Sequence, residues 1–168
     1  MKNPEIFTRI ARSVLDGSAM LFVGAGVSFL TKNAAGDPLP NGDQLKAYLH
    51  SETGATKSYP LEKISNYYVR KFGPMKLYDY LTQQFSVTSV NNRLPDLYKL
   101  PWCRIYTTNY DNAIENARKS TRSIASFTPS ESAKSIPDGA IVHINGFIER
   151  VSPQSISDDL ARLIHPAA

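Results

Sequence analysis

Three short stretches carry residue types that could act together on a small anionic molecule. The first is Gly24-Ala25-Gly26-Val27-Ser28, which follows the apolar run Ala19–Val23. Glycine lacks the Cβ that would keep a phosphate from backbone N–H groups, and Ser28 adds a hydroxyl donor. The stretch can cradle a diphosphate, or it can be a tight strand-to-loop turn. The second is Thr107-Thr108-Asn109-Tyr110-Asp111. Asn109 can hold a ribose hydroxyl or a water, and Asp111 can accept a hydrogen bond from an amide. Either residue can instead cap the helix that follows. The third is His143-Ile144-Asn145-Gly146. A lone histidine in a strand is often structural. Alternation along an extended strand would put His143 and Asn145 on one face, about 7 Å apart.

Two familiar phosphate-binding patterns do not account for these residues. A dinucleotide fingerprint needs a third glycine where Phe29 stands, and an acidic residue ending a second strand about twenty residues on. Asp43 has that spacing but falls in an expected loop or helix start. A dehydrogenase is therefore disfavoured. No Gly-Lys-Ser/Thr follows the glycines either, which excludes the phosphate loop of nucleoside triphosphatases.

The elements that must position these stretches can be read from periodicity. Asn3-Pro4 reads as an N-cap and first helical residue, and Ile6, Ile10 and Val14 recur at helical spacing until Gly17. That amphipathic helix needs a sheet or helix to cover its apolar stripe. Ala19–Val23 reads as a buried strand. Leu45, Tyr48 and Leu49 mark a helix ending near Gly54, and Pro60 and Pro74 each open another. Tyr67, Tyr68, Tyr78, Tyr80 and Phe85 crowd these two, as core packing or as a pocket lining. Cys103–Thr107 is a second strand, with a helix over Asp111–Lys119 behind it. Ser123–Phe127 is a third strand, Pro129–Gly139 a polar turn region and Ala140–Ile144 a fourth strand. A last helix starts at Ser157, with Asp158 and Asp159 in its first turn.

Strands alternating with helices predict a Rossmann-like open α/β sheet, mostly parallel and flanked by helices. Ligands bind such sheets outside the carboxyl ends of the strands. All three polar stretches sit at such ends, so they should face one crevice.

The bulk properties narrow the function. The 168 residues suit one domain, and the single cysteine, Cys103, excludes a disulfide framework and a four-cysteine zinc module. No apolar run approaches a membrane span, and MKNPEIFTRI lacks the apolar stretch of a signal peptide. A cytoplasmic protein without membrane attachment is expected. The net charge of +4 suits an anionic ligand. The basic residues are scattered, with dense spots only near Arg70–Lys71 and Arg118–Arg122, read as solvated surface. Direct nucleic-acid binding is not expected. His50 and His165 are expected at the surface.

Four stretches together resemble the sirtuin superfamily, in particular the divergent sirtuin-like domains of bacterial antiphage-defence proteins. They are FVGAGVS (Phe22–Ser28), LPNGDQL (Leu39–Leu45), YTTNYDNAIE (Tyr106–Glu115) and VHINGFIE (Val142–Glu149), in the family's order. The resemblance implies NAD as substrate, bound across the sheet without a metal. Gly24, Ala25, Gly26, Ser28, Thr108 and Asp111 would contact it, with Asp111 at the nicotinamide carboxamide. Asn109 would be central to cleavage beside the nicotinamide ribose. The defence-type domains typically hydrolyse NAD to nicotinamide and ADP-ribose, and they work with other domains or subunits of a defence complex. Lysine deacylation is disfavoured, because the zinc cysteines of that branch are absent.

The chain departs from the family in two ways. A His-Gly pair normally follows the last of these strands, its histidine acting as base; here the pair is Asn145-Gly146, with His143 two residues earlier. His143 substitutes as base, or Asn145 orients water without being one. The family domain also continues with further strands and helices, so residues 1–168 are expected to be a sirtuin-like domain incomplete at its C-terminus. A module that binds NAD or ADP-ribose, or serves in complex assembly without turnover, is the alternative.

Overall fold

The computed structural model describes residues 4–29, 31–90, 93–118, 125–128, 136–154 and 156. Helix α1 (Pro4–Leu15) leads into strand β1 (Met20–Val23), and a 3₁₀ turn over Ala25–Ser28 follows it directly. Strand β2 (Lys32–Asn33) precedes three helices, α2 (Gly42–Thr53), α3 (Leu61–Phe72) and α4 (Pro74–Phe85). Strand β3 (Val87–Ser89), helix α5 (Leu94–Lys99), strand β4 (Arg104–Thr107) and helix α6 (Ala113–Arg118) come next. Strands β5 (Ser126–Phe127) and β6 (Ile141–His143) complete the set.

The fold is mixed α/β and compatible with a Rossmann-like arrangement. Four strands form a wholly parallel sheet in the order β1-β4-β6-β5, while β2 and β3 make a separate antiparallel pair. Val23 is level with Thr107, and Thr107 with His143, so β1, β4 and β6 end in step. Each is short because a polar or glycine-containing turn follows at once.

Two apolar clusters hold this frame. On one face of the sheet, Leu94 and Tyr98 of α5 and Ile114 and Ala117 of α6 pack on Ile105 and Ile141, with Leu21 and Val23 alongside. The second cluster joins α2, α3 and α4 through Leu45, Leu49, Ile64, Tyr68, Leu77 and Leu81. It reaches the sheet's carboxyl ends through Phe85, Tyr110, Phe147 and Ile148. Burying one such side chain contributes about 1.5–3 kcal/mol, so each cluster firmly anchors its part of the frame.

Local chemistry explains the helix ends. Asn41 accepts from the Gln44 N–H while the Gln44 side chain accepts from the Asn41 N–H, a reciprocal cap that starts α2. Gly54 ends it at φ +68°, a left-handed position that favours glycine. Pro60 and Pro74 open α3 and α4 as the sequence predicts. Tyr48 stacks on Tyr80 at 3.9 Å between ring centres, so the tyrosine stripe is largely packing between helices; of its members only Phe85 lines the crevice.

Several expectations change. Helix α1 buries only Val14, and Ile6 and Ile10 are exposed, because no described element covers that stripe. Strand β1 lies at the sheet edge, so Met20 and Phe22 are exposed and Phe22 stacks on Tyr106. Arg118 is buried rather than solvated, its guanidinium donating to the Gly139 carbonyl at 2.8 Å. His50 is partly exposed on α2. Helix α6 starts at Ala113, two residues later than expected, and β5 is described only from Ser126. Asn3, Lys119, Arg122, Ser123, most of the Pro129–Gly139 turn, the helix expected from Ser157 with Asp158 and Asp159, and His165 lie outside the described residues. No helix among the described residues is long and apolar enough to cross a membrane.

Candidate functional site

A cavity of about 1140 Å³ opens at the carboxyl ends of β1 and β4. That is slightly above the usual small-molecule range of about 300–1,000 Å³. Ala25, Gly26 and Ser28 form one wall, and Thr108, Asn109, Asp111 and Asn145 form another. The rim comes from the segment Pro38–Lys46, with Asp43 in the first turn of α2 rather than at the end of a strand.

The glycine turn is open where it meets this space. Neither Gly24 nor Gly26 has a positive φ, so backbone conformation does not demand glycine there. A Cβ on Gly24 would sit 3.4 Å from Thr108 Oγ1, whereas one on Gly26 would meet nothing within 4 Å. At Gly26 the protein's own atoms leave room that a side chain would take from a ligand.

Behind the glycines lies a directed chain of hydrogen bonds. Asn109 Nδ2 donates to Ser28 Oγ at 2.8 Å, and Ser28 Oγ donates to Asp111 Oδ2 at 2.9 Å. Asp111 Oδ1 accepts from the Ala113 N–H at 2.9 Å, so this carboxylate both caps α6 and borders the cavity. The serine proton is therefore committed to Asp111 and is not presented to a phosphate, as the sequence had suggested. With its amide nitrogen engaged, Asn109 leaves Oδ1 to accept from a ligand or water. All three residues are buried. Burial holds the Asp111 carboxyl above the usual aspartate range, opposed by the Ala113 and Ser28 hydrogen bonds and by nearby His143.

The third stretch divides. Strand β6 ends at His143, so strand alternation stops there and Asn145 occupies a turn completed by Gly146 at φ +107°. Asn145 borders the cavity; His143 does not. The imidazole is fully buried, with Nδ1 2.9 Å from the Asn109 carbonyl oxygen, Nε2 2.8 Å from Glu115 Oε1, and Phe147 stacked on the ring at 4.0 Å. In this geometry His143 supports the wall and does not face a substrate, which corrects the expectation that it shares a face with Asn145 and could act as base. Asn145 Nδ2 makes one long contact of 3.4 Å to the Thr108 carbonyl, and Asn145 Oδ1 is buried with no partner among the described residues. An unsatisfied buried acceptor on a cavity wall is what a ligand's N–H or O–H would satisfy.

Two residues to which the sequence assigned no role sit behind the lining of this site. Glu115 is buried on α6 and meets His143 from behind the wall; Asp111 precedes the helix, so no helical spacing links the two and no local pattern signals the contact. Asn112 fastens the neighbouring chain: Oδ1 accepts from the Val87 N–H and Nδ2 donates to Glu149 Oε1, each at 2.7 Å. Among the described residues no cluster of three or more His, Cys, Asp or Glu side chains could hold a metal ion. Comparison of the sequence with protein-family models and with curated proteins finds no match.

Proposed function

We propose that the protein binds NAD in this cavity and hydrolyses it to nicotinamide and ADP-ribose, as a sirtuin-like effector of bacterial antiphage defence. One observation carries the reading: Gly26, Asn109 and Asp111, drawn from two separate motifs of the resemblance, border one cavity of dinucleotide size. Anchoring the phosphates near Gly24–Ser28 would supply remote binding energy to position the ribose. The nicotinamide–ribose bond would loosen through an oxocarbenium-like state. Asn109 Oδ1 would orient water or a ribose hydroxyl, and Asp111, with lone pairs beyond those its two donors use, would accept from the carboxamide. The partners on this reading are other domains or subunits of a defence complex, in the cytoplasm.

The test is nicotinamide release from NAD by the unaltered chain and by Asn109→Ala. We expect a drop of about 10²–10³-fold, the range for losing one positioned polar group at a reacting centre. Equal turnover in both removes Asn109 from the mechanism.

The burial of His143 favours a second reading, a sirtuin-like module that binds NAD or ADP-ribose, or serves in assembly, without turnover. Neither that ring nor Asn145 offers the cavity an imidazole. Tight calorimetric binding of NAD with no nicotinamide released would select it.

A further inference from the structure

The buried pair behind the cavity wall has a role that the hydrogen-bond geometry defines. The Asn109 carbonyl oxygen can only accept, so His143 Nδ1 must carry a proton to meet it at 2.9 Å. Glu115 Oε1 lies 2.8 Å from Nε2 and also accepts from Ser126 Oγ at 2.6 Å. A lone pair on Nε2 facing a carboxylate oxygen would repel it, so a second proton lies between these two atoms. It resides on the imidazole, as an ion pair, or on the carboxyl. Either way the pair is neutral as a unit, which suits a ring with no exposed surface.

The anchored atom belongs to the residue that matters most for the proposed chemistry. Asn109 is held at three points: its N–H donates to Thr107 Oγ1 at 3.0 Å, its side chain to Ser28, and its carbonyl accepts from His143. The next carbonyl, of Tyr110, accepts from the Ile148 N–H at 2.9 Å. Three elements thus converge on one turn: α6 through Glu115, β5 through Ser126 and β6 through His143.

We infer that Glu115 and His143 are positioning residues: Glu115 holds the His143 ring with Nδ1–H aimed at Asn109, His143 fixes the Asn109 carbonyl, and the turn then presents Asn109 and Asp111 at the correct depth. The consequence for turnover rests on the NAD reading; the proton on Nδ1 does not.

Two measurements on the full chain test this. Nitrogen NMR of the unaltered protein at neutral pH should show His143 Nδ1 protonated; an unprotonated Nδ1 overturns the inference. Nicotinamide release should survive Glu115→Gln within about twofold. The new amide nitrogen can donate to Nε2 and offer its second proton to Ser126 Oγ. Glu115→Leu should lower kcat by about 10²-fold with the KM for NAD little changed, the loss expected when a reacting group is misplaced by about 1 Å. Full activity in Glu115→Leu, or equal loss in both variants, overturns the inference. If Glu115→Leu does not fold, the nitrogen spectrum and the Gln variant decide. If the unaltered chain releases no nicotinamide, the NAD reading fails while the nitrogen spectrum still judges the pair.

Discussion

Replacing Ser28 with alanine removes the middle of the Asn109–Ser28–Asp111 chain. Two hydrogen bonds disappear, the 2.8 Å bond from Asn109 and the 2.9 Å bond to Asp111. The first is neutral, worth about 0.5–1.5 kcal/mol, and the second goes to a carboxylate, worth about 1.5–3 kcal/mol. Both partners are buried but border the cavity, so a water entering from it recovers only part of these bonds. The expected destabilisation at neutral pH is about 2–4 kcal/mol, or roughly 5–15 °C in Tm for a domain of this size. The loss should also depend on pH. Asp111 has its folded-state pKa raised, chiefly by burial. The folded chain therefore binds this proton more tightly than the unfolded one. The carboxyl's contribution to stability falls as pH rises from about 4 through the folded value, and returns on acidification. Ser28→Ala removes a group that favours the ionised form, so it pushes the folded value higher still. Its deficit should grow as pH rises and shrink towards acid. Paired thermal melts of both proteins across that range measure it. A deficit below about 1 kcal/mol at neutral pH, or a larger one in acid, refutes the assignment of Ser28 as donor to Asp111.

Other substitutions separate scaffold from site. Gly26→Ala should leave Tm within about 1 °C, since its Cβ meets nothing within 4 Å, yet weaken NAD binding about tenfold or more by calorimetry; unchanged affinity would show that the turn is not a cradle. Gly146→Ala combines a φ of +107° with a Cβ 3.4 Å from the Tyr110 ring, and should cost about 1–3 kcal/mol in urea unfolding. Asn112→Ala frees the Val87 N–H and the Glu149 carboxylate together, and should cost about 1–3 kcal/mol by the same assay.

The parts of this molecule legible in its sequence are those with a local cause. Strands β1, β4 and β6 are short β-rich runs stopped by Gly24, Thr108 and the Asn145-Gly146 turn, and each was expected within a residue or so of where it lies. Proline placement announced α3 and α4. The convergence of the Gly24–Ser28 and Thr107–Asp111 stretches followed from parallel topology alone. What stayed hidden depends on contacts distant in sequence. Strand β3 is two residues long beyond Val87 and exists through pairing with β2 and through Asn112, neither visible in its own composition. Helix α5 carries Pro95 near its start and only six residues, too few to show a period. The division between His143 and Asn145 turned on where β6 stops. Because β6 stops at His143, that side chain meets Glu115 while the turn after it carries Asn145 to the cavity.

The level endings of β1, β4 and β6 act as a ruler. Neighbouring strands lie about 4.8 Å apart, so the loops after the first and third are separated by about 10 Å. A molecule touching all three must be at least that long and rigid enough to reach across. Fragments of it, such as a free base or a single sugar, can engage one loop or two. They forgo the gain that comes when one tethered contact raises the effective concentration of the next. For such a molecule the spacing of the polypeptide backbone would select by length before any side chain selected by chemistry.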